Sequence, residues 1–141
     1  MQKWTGGCLC GAVRYEATPE HPEAWYCHCR MCQRSTGSVV ATDVIVRKSE
    51  FRLTRGEPRF YASSSFAERG FCQNCGSPLL FRPLEDDWLG IQTGTLDDPA
   101  VAPPQGHYGI ESRIPWHVID ESLPQLRCDD DEWFRERSRG D

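Results

Sequence analysis

The sequence has no run approaching the ~18 consecutive apolar residues that a membrane-spanning helix requires. A mean hydropathy of −0.60 points the same way. There is no basic excess: 16 Lys and Arg stand against 21 Asp and Glu, for a net charge of −5. A chain this acidic, with a pI near 5.4, is a poor general binder of nucleic acid or of anionic membrane. The opening MQKWTGGCLC holds no apolar stretch of the kind a secretory leader needs, so a cytoplasmic protein is expected. Internal repeats and low-complexity segments are absent, and helix-forming patterns are scarce. A length of 141 residues suits one domain with a real but not spacious core. Five Trp, six Phe and four Tyr exclude disorder.

What the sequence does have is cysteine, eight in all. Seven are clustered: Cys8 and Cys10; Cys27, Cys29 and Cys32; Cys72 and Cys75. Cys128 stands alone, without a partner at metal spacing, and reads as a free thiol. A disulfide framework belongs to oxidising compartments. Cysteines one to three residues apart favour a chelate instead, because one ion gathers neighbouring sulfurs at ~2.3 Å.

Short β-like runs separated by turn signals dominate: 12–17, 24–27, 38–46, 51–54, 59–62, 68–71, 79–82, 88–93 and 107–110. Arg55-Gly56-Glu57-Pro58 reads as the turn of a solvated hairpin between two of them. The Cys72/Cys75 turn lies between another two. Helical turns are expected only at 30–35 and 132–137. The expected architecture is a single mainly β domain over 1–126, followed by a charged tail over 127–141 whose last few residues are mobile.

Cys8-Leu9-Cys10-Gly11 and Cys72-Gln73-Asn74-Cys75-Gly76 match as halves of a four-thiolate zinc site. In CxxCG the turn aims two sulfurs at one point and the glycine lets the backbone bend close to the ion. Four thiolates complete a tetrahedron with no open position, the pattern of a structural site. Joining Cys10 to Cys72 also closes a loop of about 60 residues.

Cys27-His28-Cys29-Arg30-Met31-Cys32 offers three more thiolates with no fourth protein ligand nearby in sequence. Three ligands and an open position are the arrangement of a catalytic zinc. The open position can take a small thiol, which the metal deprotonates, ready to make or break a carbon–sulfur bond. His28 is flanked by two ligands, and adjacent side chains of an extended segment point to opposite faces; a supporting or surface role is expected for it. Arg30 and Arg34, with Ser35 beside them, are candidates for receiving a substrate carboxylate, although a solvated turn explains them equally.

The runs GGCLCGAVRY, CHCRMCQRSTGS, RGFCQNCGSPLLF and GTLDDP, in this order, resemble the glutathione-dependent formaldehyde-activating enzyme family, also called the centromere protein V family. The resemblance spans most of residues 5–120. It implies a β-tent fold of short antiparallel strands stapled by a four-cysteine zinc site, with two zinc ions per chain. On the matching positions Cys8, Cys10, Cys72 and Cys75 take the structural role, and Cys27, Cys29 and Cys32 the catalytic one. The implied activity is that of a carbon–sulfur lyase acting on a thiol adduct, S-hydroxymethylglutathione formation from glutathione and formaldehyde being the founding reaction. A small thiol is then the partner, with no nucleic acid and no membrane, on a monomer or homodimer. Two other classes remain open: a non-catalytic zinc-stapled binding module, and a thiol redox enzyme such as a methionine sulfoxide reductase.

The other polar and aromatic residues have plainer readings. Asp97 and Asp98 precede Pro99 and suit a turn. His107 and His117 sit in aromatic β-like surroundings that suit packing. Trp25, Trp88 and Trp116 read as core.

Overall fold

The computed structural model describes residues 2–138. The chain is mainly β, as its patterning predicts. A small antiparallel sheet joins β1 (Trp4–Gly7), β2 (Arg14–Ala17) and β5 (Phe51–Arg55) in that order. The larger sheet runs β11 (Gln125–Leu126), β10 (His107–Tyr108), β3 (Glu23–Cys27), β4 (Ala41–Arg47), β9 (Trp88–Gln92), β8 (Pro78–Pro83), β7 (Ala67–Phe71) and β6 (Arg59–Ala62). Its strands are antiparallel except at the two-residue β10, which lies parallel to both β3 and β11. Among the described residues, two short α-helices, α1 (Arg30–Thr36) and α2 (Glu132–Arg137), and five single-turn 3-10 helices complete the regular structure. Among the described residues, no helix is long and apolar enough to cross a membrane.

The larger sheet has two working faces. Because side chains alternate along a strand, Ala24 of β3, Val44 and Val46 of β4, and Leu89 and Ile91 of β9 turn to the core shared with Trp4 and Tyr15 of the small sheet. Trp25 and Cys27 of β3, Asp43 and Ile45 of β4, Phe81 of β8 and Trp88 of β9 turn the other way and line a cavity. One face thus holds the fold together while the other lines the cavity.

The expected hairpin across residues 55–58 does not form. β5 leaves to pair with β2, Ala17 opposite Phe51, whereas β6 pairs with β7, Arg59 opposite Phe71. Gly56 lies at φ 61°, and a Cβ there would meet the Ala12 carbonyl oxygen at 2.2 Å. The segment therefore crosses between sheets through a point only glycine fits, with Pro58 buried beyond it. Two runs of strand pattern flanking a turn say nothing about whether they pair with each other.

The charged segment after β11 lies against the body of the fold. The Tyr108 hydroxyl donates to Asp131 at 2.5 Å, Asp131 caps α2 through the Trp133 N–H, and Arg137 pairs with Asp86 at 3.2 Å. The mobility expected of the last few residues falls on 139–141, which lie outside the described residues.

Candidate active site and metal centres

The structure gathers the seven clustered cysteines into two groups, each with its sulfurs within 4.8 Å of one another: Cys8, Cys10, Cys72 and Cys75, and separately Cys27, Cys29 and Cys32. All are free thiols.

In the first group Cys8 and Cys10 occupy the turn between β1 and β2, and Cys72 and Cys75 the turn between β7 and β8. The two turns are built alike. Gly11 donates to the Cys8 carbonyl at 3.2 Å and Gly76 to the Cys72 carbonyl at 2.7 Å. These glycines follow the second cysteine of each pair and sit at φ 81° and 79°, where other residues are strained. Sulfurs at ~2.3 Å from a tetrahedral ion lie about 3.8 Å apart; Cys8 to Cys10 is 3.7 Å and Cys10 to Cys72 is 3.8 Å. Donors are already aimed at the sulfurs: Val13 N–H at Cys8 and Asn74 Nδ2 at Cys10, both at 3.2 Å. The Ser77 hydroxyl, 3.1 Å from Cys75, leads the hydrogen bonds that bring its thiol down to about 5. The donor set and spacing fit a zinc ion with all four positions filled by protein.

In the second group Cys27 ends β3, Cys29 caps α1 and Cys32 lies in its first turn. The Cys29 sulfur accepts from the Cys32 N–H at 3.3 Å and sits 3.5 Å from Cys27. Hydrogen bonds from the Cys128 thiol first, then from Cys27 and Cys32, hold the Cys29 thiol far below its ordinary range. Three sulfurs this close, with room above them, fit an ion with one position left open.

His28 points away from this group. It is fully buried, with Nε2 at 2.9 Å from His107 Nδ1. His107 Nε2 faces the Asp120 carbonyl at 3.0 Å, which only accepts, so the His107 proton is on Nε2 and His28 donates to Nδ1. Burial brings the His28 pKa down to about 4. The pair, with His107 stacked on Tyr26, fastens β10 to the end of β3.

The floor of a cavity of about 690 Å³ is formed by Cys27, Cys29 and Cys32. Seven aromatic side chains contribute to its walls, alongside polar and aliphatic ones. Trp25 and Trp88, read from the sequence as core, are wall residues; Trp116 is an exposed surface residue at 73%. Asp43 also lines the cavity, accepting from Gln92 Nε2 at 3.1 Å, and loss of hydration raises its carboxyl to about 6.

Two participants carried no spacing signal. Arg69 of β7 is buried, places Nη2 3.6 Å from the Cys32 sulfur, and lies 5.0 Å over the Phe81 ring. The one hint is its position two residues after the inward-facing Ala67, which puts a guanidinium on a buried face. Cys128 is buried on the same cavity beside Cys29. A Cβ built on Gly109, at φ 71°, would stand 3.2 Å from both the Cys128 sulfur and the Cys29 Cβ, so the two side chains meet over that glycine.

Arg30, Arg34 and Ser35 lie off the cavity lining. Arg30 donates to Gln33 Oε1 at 2.5 Å, and Gln33 in turn donates to the carbonyls of His28, Val39 and Ser112. Arg34 lies in the last turn of α1, and Ser35 donates to the Cys32 carbonyl at 3.3 Å and faces a second, smaller depression. Asp97 accepts from both Arg14 and Thr5, and Asp98 caps the turn at Ala100, in keeping with structural roles.

Residues 3–112 match the family model described as glutathione-dependent formaldehyde-activating enzyme. A Schizosaccharomyces pombe protein named only as a lyase is 38% identical, covering 89% of this chain and 98% of its own. A Halomonas elongata protein named for glutathione-dependent formaldehyde activation is 29% identical, covering 87% of this chain and 84% of its own. The crystal structure of a Rhodobacter sphaeroides protein superposes with a TM-score of 0.56 at 27% identity, covering 66% of this chain and 87% of that one. With these likenesses and two cysteine groups on a mainly β frame, the chain belongs to the glutathione-dependent formaldehyde-activating enzyme family.

Proposed function

We propose that this protein is a zinc-dependent carbon–sulfur lyase that makes or cleaves the adduct of a small thiol with an aldehyde. The observation that carries the reading is the trio Cys27, Cys29 and Cys32 at the floor of a cavity that also holds Asp43 and Arg69. Glutathione is the thiol that the family description supplies, with formaldehyde as the aldehyde. The reaction is then RSH + CH2O → RS–CH2OH. The S–H bond breaks, a C–S bond forms, and the carbonyl π pair becomes an alkoxide that takes up the thiol's proton.

Cys27, Cys29 and Cys32 would hold a zinc ion, which would supply the Lewis acidity that lowers the pKa of a substrate thiol. The other tasks fall to the protein. Asp43 accepts the thiol proton and returns it to the nascent alkoxide. Arg69 offsets the negative charge gathered around Cys32. The aromatic walls keep water from competing for the aldehyde. Cys8, Cys10, Cys72 and Cys75 would hold a second zinc, in a structural role. So many free thiols suit a reducing, cytoplasmic setting.

Protein purified reduced and without chelator is expected to hold two equivalents of zinc. It should accelerate conversion of 13C-formaldehyde and thiol to the S-hydroxymethyl adduct, followed by NMR. A single equivalent of metal under every thiol tried, with no acceleration, would end the proposal.

The pH profile provides a separate check. With its carboxyl at about 6, Asp43 is ionised, and able to accept a proton, above that pH. Turnover should fall tenfold per unit as pH drops below 6. Asp43→Asn should lose about a hundredfold in rate and flatten that limb. An unchanged limb in the variant assigns the proton transfer elsewhere.

A further inference from the structure

The cavity is roofed by a segment that the family match does not reach. The match ends at residue 112, and the roof comes from Leu126, Trp133 and Phe134. It is anchored in place. Trp133 donates Nε1 to Asp86 at 3.2 Å, and Arg137 lies 4.7 Å over its ring. Its indole meets Phe66 edge-on at 5.7 Å and Trp88 at 5.4 Å. Phe134 meets Phe66 edge-on at 6.2 Å, and Phe81 stacks on Trp88 at 5.9 Å. The result is a set of ring faces and edges organised before any ligand arrives.

The polar groups around these rings are the wrong ones for a substrate rich in carboxylate. Among the described residues, the lining carries Asp43, Asp130 and Asp131 but only two guanidinium groups. Arg127, about half exposed, is paired with Asp129 through two bonds, of 2.8 and 2.7 Å. Arg69 is buried and engaged with Cys32. Arg30 and Arg34 lie elsewhere. Glutathione brings two carboxylates, and among the described residues neither cation on this lining is unpaired.

Resting on the thiol-adduct reading above, we infer that the thiol this site selects has an aromatic body and no carboxylate. Its sulfur reaches the Cys27/Cys29/Cys32 trio while its ring lies in the cavity against the continuous aromatic surface that Phe66, Phe81, Trp88, Trp133 and Phe134 form together. The volume suits a compact ligand with one or two rings. The roof segment is thereby a specificity element added to the shared catalytic frame.

The test uses the full chain with cobalt(II) in place of zinc, because thiol coordination changes the sulfur-to-cobalt charge-transfer absorption directly. Phenylmethanethiol, glutathione and 2-mercaptoethanol are titrated in parallel. Phenylmethanethiol is expected to bind at least about tenfold tighter than glutathione. Trp133→Ala and Phe134→Ala should each bring its affinity down toward that of 2-mercaptoethanol, which itself stays unchanged. Two variants are used so that poor folding of one leaves the other informative, and the wild-type ratio alone decides the preference. Glutathione binding as tightly as phenylmethanethiol, or tighter, overturns the inference and leaves the thiol-binding site standing. A cobalt spectrum indifferent to all three thiols overturns both.

Discussion

Cys72→Ala is expected to yield no stably folded protein. The residue is almost fully buried, at 1% exposure, in the turn between β7 and β8, and its sulfur lies 3.8 Å from that of Cys10 across 62 residues of chain. Removing it takes away one vertex of the four-sulfur group and the join between the small sheet and the large one. A structural zinc contributes about 10–16 kcal/mol of apparent binding energy, as much as the whole stability of a small domain. Far-UV circular dichroism and thermal melting decide the matter, with a strong chelator on the wild type as a parallel perturbation. A variant that melts cooperatively within a few degrees of the wild type would show that the four sulfurs do not staple the fold.

Cys29→Ala is expected to behave in the opposite way, retaining the fold and losing turnover by at least about a thousandfold, roughly 4 kcal/mol of transition-state stabilisation. The trio belongs to a small hydrophobic cluster with Ala41 and Tyr108, separate from the main core. Its loss leaves that core intact. Cys29 also caps α1 through its sulfur, so alanine should cost about 1 kcal/mol of stability on its own account. Cys29→Ser separates the two effects: serine caps the helix but supplies no thiolate. Both variants should hold one equivalent of zinc instead of two. A folded and fully active Cys29→Ala protein would remove the chemistry from this trio.

Local features were the ones legible in the sequence. The seven clustered cysteines fall into the expected groups because each half-site is a turn whose geometry is set within five residues. The turn between β7 and β8 and both helices were legible for the same reason. The pairing of β5 was not, because strand partners are chosen by distant burial, here Ala17 and Tyr15 against Phe51. Cys128 was read as a lone thiol because 96 residues separate it from Cys32, and only the parallel run of β11 beside β10 carries it back to the cavity. Trp25 and Trp88 looked like core because a strand buried on both faces does not announce which face is hollow. Arg30 and Arg34 were drawn toward the substrate by nearness to the cysteines in sequence, but a seven-residue helix turns them off the lining.

The four-sulfur group has two halves that the folding chain meets at different times. Cys72 and Cys75 belong to one hairpin, which forms on its own in about 1–10 μs, whereas Cys8 and Cys10 must be brought from more than 60 residues away against loop-closure entropy. The hairpin is therefore a ready two-toothed hook while the amino-terminal arm is still searching. An ion caught there early would turn that search into an intramolecular capture, so the order in which the two sheets dock is written into the unequal spacing of their cysteines.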